Sequence, residues 1–222
     1  MGWVVAAGAA AGGAVLWSVY FRFKDRLKPE PLKLMAAALG LGAAAAGMAI
    51  GVFRLLPAMP ESGRWELFLF CTAVIGGVEE GLKFAAVRWV MVRWREFDEV
   101  IDGLVYAAMT GIGFATVENL IVAQDAAWLE QLARAAASPL THALFAAAWG
   151  LPMAHALQVP RPAFSLFLRQ AIPLAFSMFL HGLYDFLLLG SNATLPAALV
   201  ILLLWAALIY LAPRAAAGVR TH

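Results

Sequence analysis

The chain has 222 residues, of which 63% are hydrophobic and only 14% are charged, and its formal net charge is +2. Soluble domains average roughly 45–50% apolar and about 25% charged residues, so this composition excludes an ordinary soluble protein and indicates an integral membrane protein. The basic residues form short clusters between apolar segments, which is typical of topology signals and argues against a nucleic-acid partner.

Apolar segments long enough to cross a lipid bilayer recur along the whole chain, since about 20 apolar residues suffice for one spanning helix. The sequence therefore predicts an all-α transmembrane bundle of about seven helices, forming one integral membrane domain over residues 1–222. We place the helices at residues 3–21, 34–56, 66–90, 101–123, 135–157, 171–189 and 194–212. Only loops remain between them, so a functional site must lie within or beside the bilayer.

The basic residues also predict the orientation of the helices. The loops assigned to the cytoplasm carry Arg22 to Lys33, Arg93, Arg95, Arg161, Arg169, Arg214 and Arg220. The loops assigned to the outside carry Glu61, Arg64, Asp125, Glu130 and Arg134. Because positively charged loops stay in the cytoplasm, we predict an outside N-terminus and a cytoplasmic C-terminus, in a bacterial or archaeal plasma membrane.

Three charged residues, Glu79, Glu80 and Lys83, interrupt the third apolar segment near its centre. Each such charge costs about 2.5–3.5 kcal/mol on the translocon insertion scale, so we expect this face of the helix to turn into the bundle. Lys83 follows the two glutamates by one helical turn and can pair with both. The pair Gly77 and Gly81 brackets the glutamates at GxxxG spacing, which predicts close packing of a partner helix there.

The next three segments carry further residues that hydrocarbon rejects. These are Glu118 and Asn119 on the fourth helix, His142 on the fifth, and His181 and Asp185 on the sixth. His181 and Asp185 are four residues apart, which suits a carboxylate that orients an imidazole. Polar groups facing lipid would lack partners, whereas converging ones can bond to each other, so we predict one water-accessible pocket among the third to sixth helices.

Other polar residues of the spans receive weaker assignments. Asp102 lies beside Asp98 and Glu99 and is as compatible with a solvated cytoplasmic face as with a site. The single cysteine, Cys71, is predicted to be a small core residue, and it excludes a multi-cysteine metal site. His155 and His222 are assigned no role.

Two histidines and several carboxylates support two kinds of hydrolytic chemistry. They could bind a metal such as zinc, with Glu80, Glu118, His142 and His181 as ligands, and so activate water. Alternatively, Glu79 or Glu80 could act as a general base on water while the histidines stabilise the oxyanion. A proton-coupled transporter also uses buried Glu and His, but the sequence shows no internal repeat or broken helix.

The order of these motifs resembles the PrsW family of intramembrane proteases, within the superfamily of CAAX-type prenyl endopeptidases and bacteriocin-processing proteases. The similar elements are Asp25-Arg26 with Glu30-Pro31, Glu79-Glu80-x-x-Lys83, Asp102-Gly103-x-x-Tyr106, Gly113-Phe114-x-x-x-Glu118-Asn119, His142 and His181-x-x-x-Asp185. The resemblance covers nearly the whole chain and places the catalytic helices at about residues 66–189.

The resemblance implies proteolysis of a membrane-anchored protein, such as an anti-sigma factor, by a metal-dependent or a glutamate-dependent mechanism. Glu79 or Glu80 would be the general base or a metal ligand, and Glu118, His142 and His181 would complete the ligand or oxyanion set. Asp185 would orient His181, and Lys83 would tune the glutamates. The superfamily also resembles the non-catalytic scaffold subunit of gamma-secretase, so a membrane scaffold is an alternative. The sequence carries no signal for the oligomeric state.

Overall fold

The computed structural model of the protein describes residues 2–25, 28–61, 63–122, 127–159 and 162–219, and these residues form helices and loops without any strand. Four predicted features, at Arg26, Asp125, Arg161 and Arg220, lie outside the described residues, as does His222. The long helices are α1 (Gly2–Lys24), α2 (Leu32–Phe53), α5 (Val100–Val122), α6 (Trp128–Leu157), α7 (Ala163–Leu189) and α8 (Thr194–Val219).

The third predicted helix consists of three consecutive pieces. A short helix α3 (Arg64–Leu69) continues into a π-helix (Phe70–Ile75) and then into α4 (Gly76–Trp89). A 3₁₀ turn at Met91–Arg93 follows. Counted as one segment, these pieces bring the described part of the chain to seven long helical segments, and the prediction of an all-α bundle is confirmed. The π-helix at Phe70–Ile75 was not predicted from the sequence.

Five of the helices are long and apolar enough to cross a membrane. They comprise Trp3–Lys24, Leu32–Phe53, Val100–Ile121, Ala163–Leu189 and Thr194–Ala215. Among the described residues, the α3–π–α4 segment and α6 fall outside this group, and these two segments carry Glu79, Glu80, Lys83 and His142. Of the four segments with predicted site residues, these two therefore depend most on neighbouring helices for their place in the bundle.

Helices α6 and α7 begin well before the predicted positions 135 and 171. Their additional first turns contain charged and amide residues, such as Glu130 and Arg134 in α6 and Arg169 in α7. Hydropathy marks only the part of a helix that lipid can accept, whereas backbone hydrogen bonding continues past the apolar part. The added turns of α6 carry Arg134 towards the predicted site.

Helix α5 lies at the centre of the bundle, with most of its side chains shielded from the surroundings by α1, α2 and α6. Its contact with α6 is close at Gly111, where a Cβ atom would lie 2.5 Å from the carbonyl oxygen of His142. A larger residue at this position would push apart the two helices that carry Glu118 and His142. The core thus sets the separation of two predicted site residues.

The end of α5 opposite Glu118 holds a buried acidic cluster that ties the α1–α2 connection to the bundle. The Tyr106 hydroxyl donates a hydrogen bond to Glu30, whose backbone N–H donates to the Asp25 carboxylate at 3.0 Å. Burial raises the pKa of Glu30 to about 8 and the pKa of Asp25 to about 6.

Asp102 accepts hydrogen bonds from the backbone N–H groups of Asp98 and Glu99 at 2.8 and 2.5 Å. Asp102 is buried, so the solvated-face alternative was wrong.

Candidate active site

The π-helix and α7 cross at very short range, and this crossing places the glutamates of α4 beside the histidine of α7. A Cβ atom at Gly182 would lie 2.3 Å from the Cys71 carbonyl oxygen, and one at Gly76 would lie 2.2 Å from the Met178 carbonyl oxygen. Cys71 is fully buried at this crossing, as expected of a core residue. Glycine is required at Gly76 and Gly182 because the two backbones are in direct contact.

The predicted packing role of Gly77 and Gly81 was wrong. No described atom lies within 4 Å of a Cβ built on Gly77, and only the Met178 side chain approaches Gly81, at 3.6 Å. Neighbouring positions on a helix point about 100° apart, so a shift of one residue from Gly77 to Gly76 selects another face. The contact that positions the carboxylates uses Gly76 and its partner Gly182.

Glu80 is fully buried and has a donor at each carboxylate oxygen. Its Oε1 lies 2.8 Å from Lys83 Nζ and 2.9 Å from His181 Nδ1, and its Oε2 accepts a hydrogen bond from Trp149 Nε1 at 2.9 Å. A carboxylate that holds one nitrogen of a histidine fixes both the orientation of the ring and the nitrogen left for chemistry. Glu80 is thus placed to orient His181.

Lys83 is also fully buried, and it connects the glutamates to α6. Its Nζ lies 2.8 Å from both Glu80 Oε1 and His142 Nδ1, and 3.6 Å from Glu79 Oε2. The ammonium group also sits over the Phe114 ring, 4.1 Å from its centroid, in a cation–π contact. A buried lysine needs such partners, because an unpaired charge in this position would strongly destabilise the fold.

The second histidine, His142, links Lys83 to the fourth predicted helix. Its Nε2 lies 2.9 Å from Glu118 Oε2, while its Nδ1 faces Lys83. Its ring stacks on Phe114 with a centroid distance of 5.5 Å. Arg134 Nη2 lies 3.6 Å from Glu118 Oε1, so a line of charged and polar contacts runs from Arg134 to Lys83.

Glu79 lies at the centre of the site. Its Oε2 is 3.7 Å from His181 Nε2, 3.8 Å from His142 Nδ1 and 3.6 Å from Lys83 Nζ. This oxygen is buried, and no described group makes a hydrogen bond to it. Asp185 Oδ2 lies 3.7 Å from the same His181 Nε2. Glu79 Oε2 and His181 Nε2 therefore share a space that none of the described side chains fills.

A cavity of about 800 Å³ opens onto this space. The polar groups that line it include Glu79, Glu118, His142, His181 and Asp185, together with Arg134, Thr141 and Tyr184. Loop residues Pro57 to Met59, after α2, and Thr194, at the start of α8, lie at its rim. The predicted single pocket among the third to sixth helices is confirmed, and the ends of α2 and α8 add to its wall.

The structure brings together most of the predicted site residues, but only some of them line the cavity. Glu80 and Lys83 lie behind the cavity wall and touch the histidines from the buried side. Asn119 donates a hydrogen bond to the Arg134 carbonyl oxygen at 3.4 Å, and its own Oδ1 has no described partner. Asn119 thus joins α5 to α6 at the edge of the site.

Sequence reasoning missed Trp149 and Arg134. Trp149 lies on α6, where a tryptophan among alanines reads as an ordinary core residue, and its hydrogen bond to Glu80 depends on how α4 and α6 pack. Arg134 was assigned to an outside loop. Its position seven and eight residues before Thr141 and His142 would have predicted a shared helical face, had the helix been extended to include it.

Glu79, His142 and His181 form a group that could hold a metal ion, since one ligand atom from each lies within 4.8 Å of the other two. The donor set fits, because imidazole nitrogens and a carboxylate are ordinary ligands of zinc. Glu79 keeps one oxygen free to bind a metal, and Glu80 fixes the orientation of the His181 ring, as metal-binding histidines require. His142 can join them by giving up its contact with Lys83 or with Glu118.

The sequence is similar to known proteins over most of its length. Residues 30–212 match the family described as PrsW family intramembrane metalloprotease. A protein named Protease PrsW from Geobacillus kaustophilus is 31% identical over 192 residues, which are 85% of this chain and 81% of that protein. Another Protease PrsW, from Oceanobacillus iheyensis, is 29% identical over 96% of this chain and 95% of its own length. The Bacillus subtilis Protease PrsW is 29% identical over 83% of this chain and 82% of its own. No solved structure gives a significant match.

Proposed function

The chain belongs to the PrsW family of intramembrane metalloproteases, and we propose that it cuts a membrane-anchored protein with water activated in the cavity beside Glu79. The observation that carries this proposal is the buried Glu79 Oε2, which has no hydrogen-bond partner among the described residues and faces both histidines at the cavity wall. A buried carboxylate oxygen without a hydrogen-bond donor destabilises a protein unless a ligand completes its environment.

A metal ion is one ligand that could complete the environment of Glu79 Oε2. Glu79, His142 and His181 would hold the ion, in place of the set Glu80, Glu118, His142 and His181 expected from the sequence. Zinc suits this donor set, and when bound it acidifies a water molecule and polarises the carbonyl group to be attacked. Glu80 would serve as the residue that fixes His181 through Nδ1, leaving Nε2 for the site.

The proton from the attacking water then needs an acceptor within the cavity. Glu118 is the better candidate when Glu79 is a ligand, because it lies on the cavity wall and a third of its side chain is exposed. In a metal-independent reaction Glu79 itself would take this proton. In either case water adds to the carbonyl carbon, and the carboxylate returns the proton to the amine that leaves when the C–N bond breaks.

The location of the substrate follows from the cavity. Five apolar helices and homology to bacterial proteases indicate an integral protein of a bacterial membrane, and none of these findings points to an archaeal one. Pro57 to Met59 at the rim lie in a loop that the charge pattern assigns to the outside, and Thr194 begins α8 directly after another such loop. The substrate we propose is therefore a membrane-anchored protein cut near the outer face of the bilayer.

Purified protein in lipid vesicles with a membrane-anchored reporter tests this proposal, with cleavage and bound zinc measured on the same samples. We expect Glu79→Gln to lose both zinc and cleavage, and Glu118→Gln to keep zinc but lose at least about 100-fold in rate. Glu80→Gln should weaken zinc binding about 10–100-fold by releasing His181, with a matching loss of cleavage. Glu130→Gln, on an exposed turn of α6, is the matched control.

The same experiment separates the alternatives. Full cleavage by Glu79→Gln would contradict the proposed site. Cleavage that survives removal of zinc by a chelator, but not Glu79→Gln, would assign Glu79 as the general base. A wild-type protein that cuts no reporter would favour the scaffold, and one that moves protons without cutting would favour the transporter.

A further inference from the structure

Arg134 is a charged residue of the cavity to which neither the motifs nor the proposed chemistry gives a role. It is the only lysine or arginine among the described residues that line the cavity. About a third of its side chain is exposed, with a relative accessible area of 31%. It shares this cavity with Glu79, His142 and His181, so a peptide bound for hydrolysis would pass close to it.

The guanidinium group of Arg134 is not fully used by its neighbours. Its Nη2 lies 3.6 Å from Glu118 Oε1, beyond normal hydrogen-bond distance, and its Nε is buried without a hydrogen-bond partner among the described residues. Glu118 approaches His142 more closely, at 2.9 Å, with its other oxygen. Glu118 thus lies closer to His142 than to Arg134, and the exposed part of the guanidinium group keeps donors available towards the cavity.

A guanidinium group with unused hydrogen-bond donors preferentially binds carboxylates. It stays protonated, it presents planar pairs of donors, and it binds a carboxylate through two parallel hydrogen bonds. The attraction is stronger in a partly desolvated cavity than in bulk water. Because the substrate of a protease is a polypeptide, the matching group is the side chain of an aspartate or glutamate.

The contacts with Glu118 give the position of that side chain relative to the bond that is cut. Arg134 Nη2 and His142 Nε2 approach the two oxygens of this one carboxylate, at 3.6 and 2.9 Å, so their separation is limited to these two distances and the width of the carboxylate. An extended peptide advances about 3.3 Å per residue, so this separation corresponds to two to three residues of bound substrate.

We propose that Arg134 forms a substrate-binding subsite for an acidic residue located two to three positions from the cleaved bond, on the part of the substrate nearest the cavity rim. This inference rests on the proposed function. It adds a charge preference that the catalytic groups alone do not require, and it makes Arg134 a specificity residue that need not touch the reacting atoms.

A set of membrane-anchored reporters that differ at one position tests the subsite. Each reporter carries Asp, Asn or Lys at the second or third position on either side of the cleaved bond. We expect the wild-type protein to cut the best Asp reporter about tenfold faster, in kcat/KM, than its Asn counterpart. Arg134→Gln should remove this difference, and Arg134→Glu should reverse it in favour of Lys. Arg64→Gln, at an exposed position on α3, should keep the wild-type preference.

Three results would overturn the subsite while leaving the protease intact. Wild-type cleavage that ignores the charge at all four positions is one, and a wild-type preference for Lys is another. The third is an equal loss on Asp and Asn reporters in Arg134→Gln, which would show that the arginine serves only to support Glu118. Absence of cleavage of every reporter by the wild-type protein would instead count against the proposed function.

Discussion

Glu79 and Glu80 are adjacent in the chain but have different surroundings. Glu80 accepts a hydrogen bond from Trp149 and contacts Lys83 and His181 from the buried side, whereas Glu79 faces the cavity with an oxygen that no described donor reaches. The two carboxylates therefore suit different tasks, one orienting a histidine and the other facing the reaction. This division depends on the rotation of α4 and on the residues of α6 behind it.

The Trp149 hydrogen bond gives a test of this division at a single atom. Trp149→Phe removes the N–H donor but keeps an aromatic ring, so Glu80 Oε2 loses its partner inside the protein. We expect a loss of about 1–3 kcal/mol in stability, and a loss of about 10–100-fold in cleavage as His181 becomes less well oriented. Reporter cleavage and thermal unfolding in detergent measure the two effects.

Trp205→Phe is the matched control for Trp149→Phe. It also removes one indole hydrogen bond, at 2.8 Å to the Tyr20 hydroxyl, but far from the catalytic cavity. It should reduce stability without reducing cleavage beyond the loss of folded protein. Equal effects of the two substitutions on cleavage per folded molecule would show that Trp149 has no specific link to the site.

At the scale of elements, the crossing of the π-helix with α7 determines the geometry of the site. Gly182→Ala would place a methyl group 2.3 Å from Cys71 and Thr72 backbone atoms, so α7 must move away from the π-helix and carry His181 with it. We expect cleavage to fall by at least about 100-fold, since misplacement of a catalytic group by about 1 Å has such effects. Reporter cleavage and zinc content measure the outcome.

Gly77→Ala provides the comparison within the same region. A Cβ atom at Gly77 has no described neighbour within 4 Å, and alanine is favoured over glycine in a helix by about 1 kcal/mol. This variant should be as active as the wild type and at least as stable. Loss of activity in Gly77→Ala, or normal activity in Gly182→Ala, would contradict the packing that we describe.

The sequence was sufficient for the helical class and for the list of polar residues that share a cavity, because charges are costly in lipid and must converge. It was insufficient for the division between Glu79 and Glu80. Adjacent residues point about 100° apart around a helix axis. The π-helix before α4 also changes the direction in which the side chains of α4 point around that axis. The π-helix packs against Gly182, more than 100 residues later, and local propensity does not encode this contact.

For the whole molecule, the orientation in the membrane remains a prediction of the charge pattern. Single cysteines at Glu61 and Ala163, in a Cys71→Ala background, report it through a membrane-impermeant thiol reagent. We expect labelling at position 61 and none at position 163 in intact cells, because the basic loops should face the cytoplasm. The opposite pattern would invert the topology and place the catalytic cavity at the cytoplasmic face.

The buried acidic cluster at the end of α5 opposite Glu118 predicts that the stability of the whole fold depends on pH. The pKa of Glu30 is raised to about 8 by burial, so the folded state holds its proton where the unfolded state has released it. The contribution of Glu30 to stability is therefore fully present below about pH 4.5 and is lost as the pH rises towards 8. Asp25, with a pKa of about 6, acts in the same direction over a lower range.

Thermal unfolding in detergent from pH 5 to 9 measures this effect. Glu30→Gln keeps an acceptor for the Tyr106 hydroxyl but has no proton to lose, so its unfolding temperature should fall less than that of the wild type as the pH rises. Glu66→Gln, at an exposed position on α3, is the control and should follow the wild type. Parallel curves for the wild type and Glu30→Gln would contradict a buried, protonated Glu30.

The long sequence separation within the buried ion network has a consequence for biosynthesis. Glu80 and its partner His181 are 101 residues apart, and Lys83 and His142 are 59 apart. At roughly 5–20 residues per second, the ribosome delivers α7 about 5–20 seconds after α4 has left the tunnel. During that interval Glu79, Glu80 and Lys83 have only one another as partners. Exposure of these charged side chains to lipid is costly. We therefore expect the newly inserted α4 to remain beside the translocon or a chaperone until α6 and α7 have been synthesised. A delay in their synthesis would expose the chain to degradation by quality-control proteases.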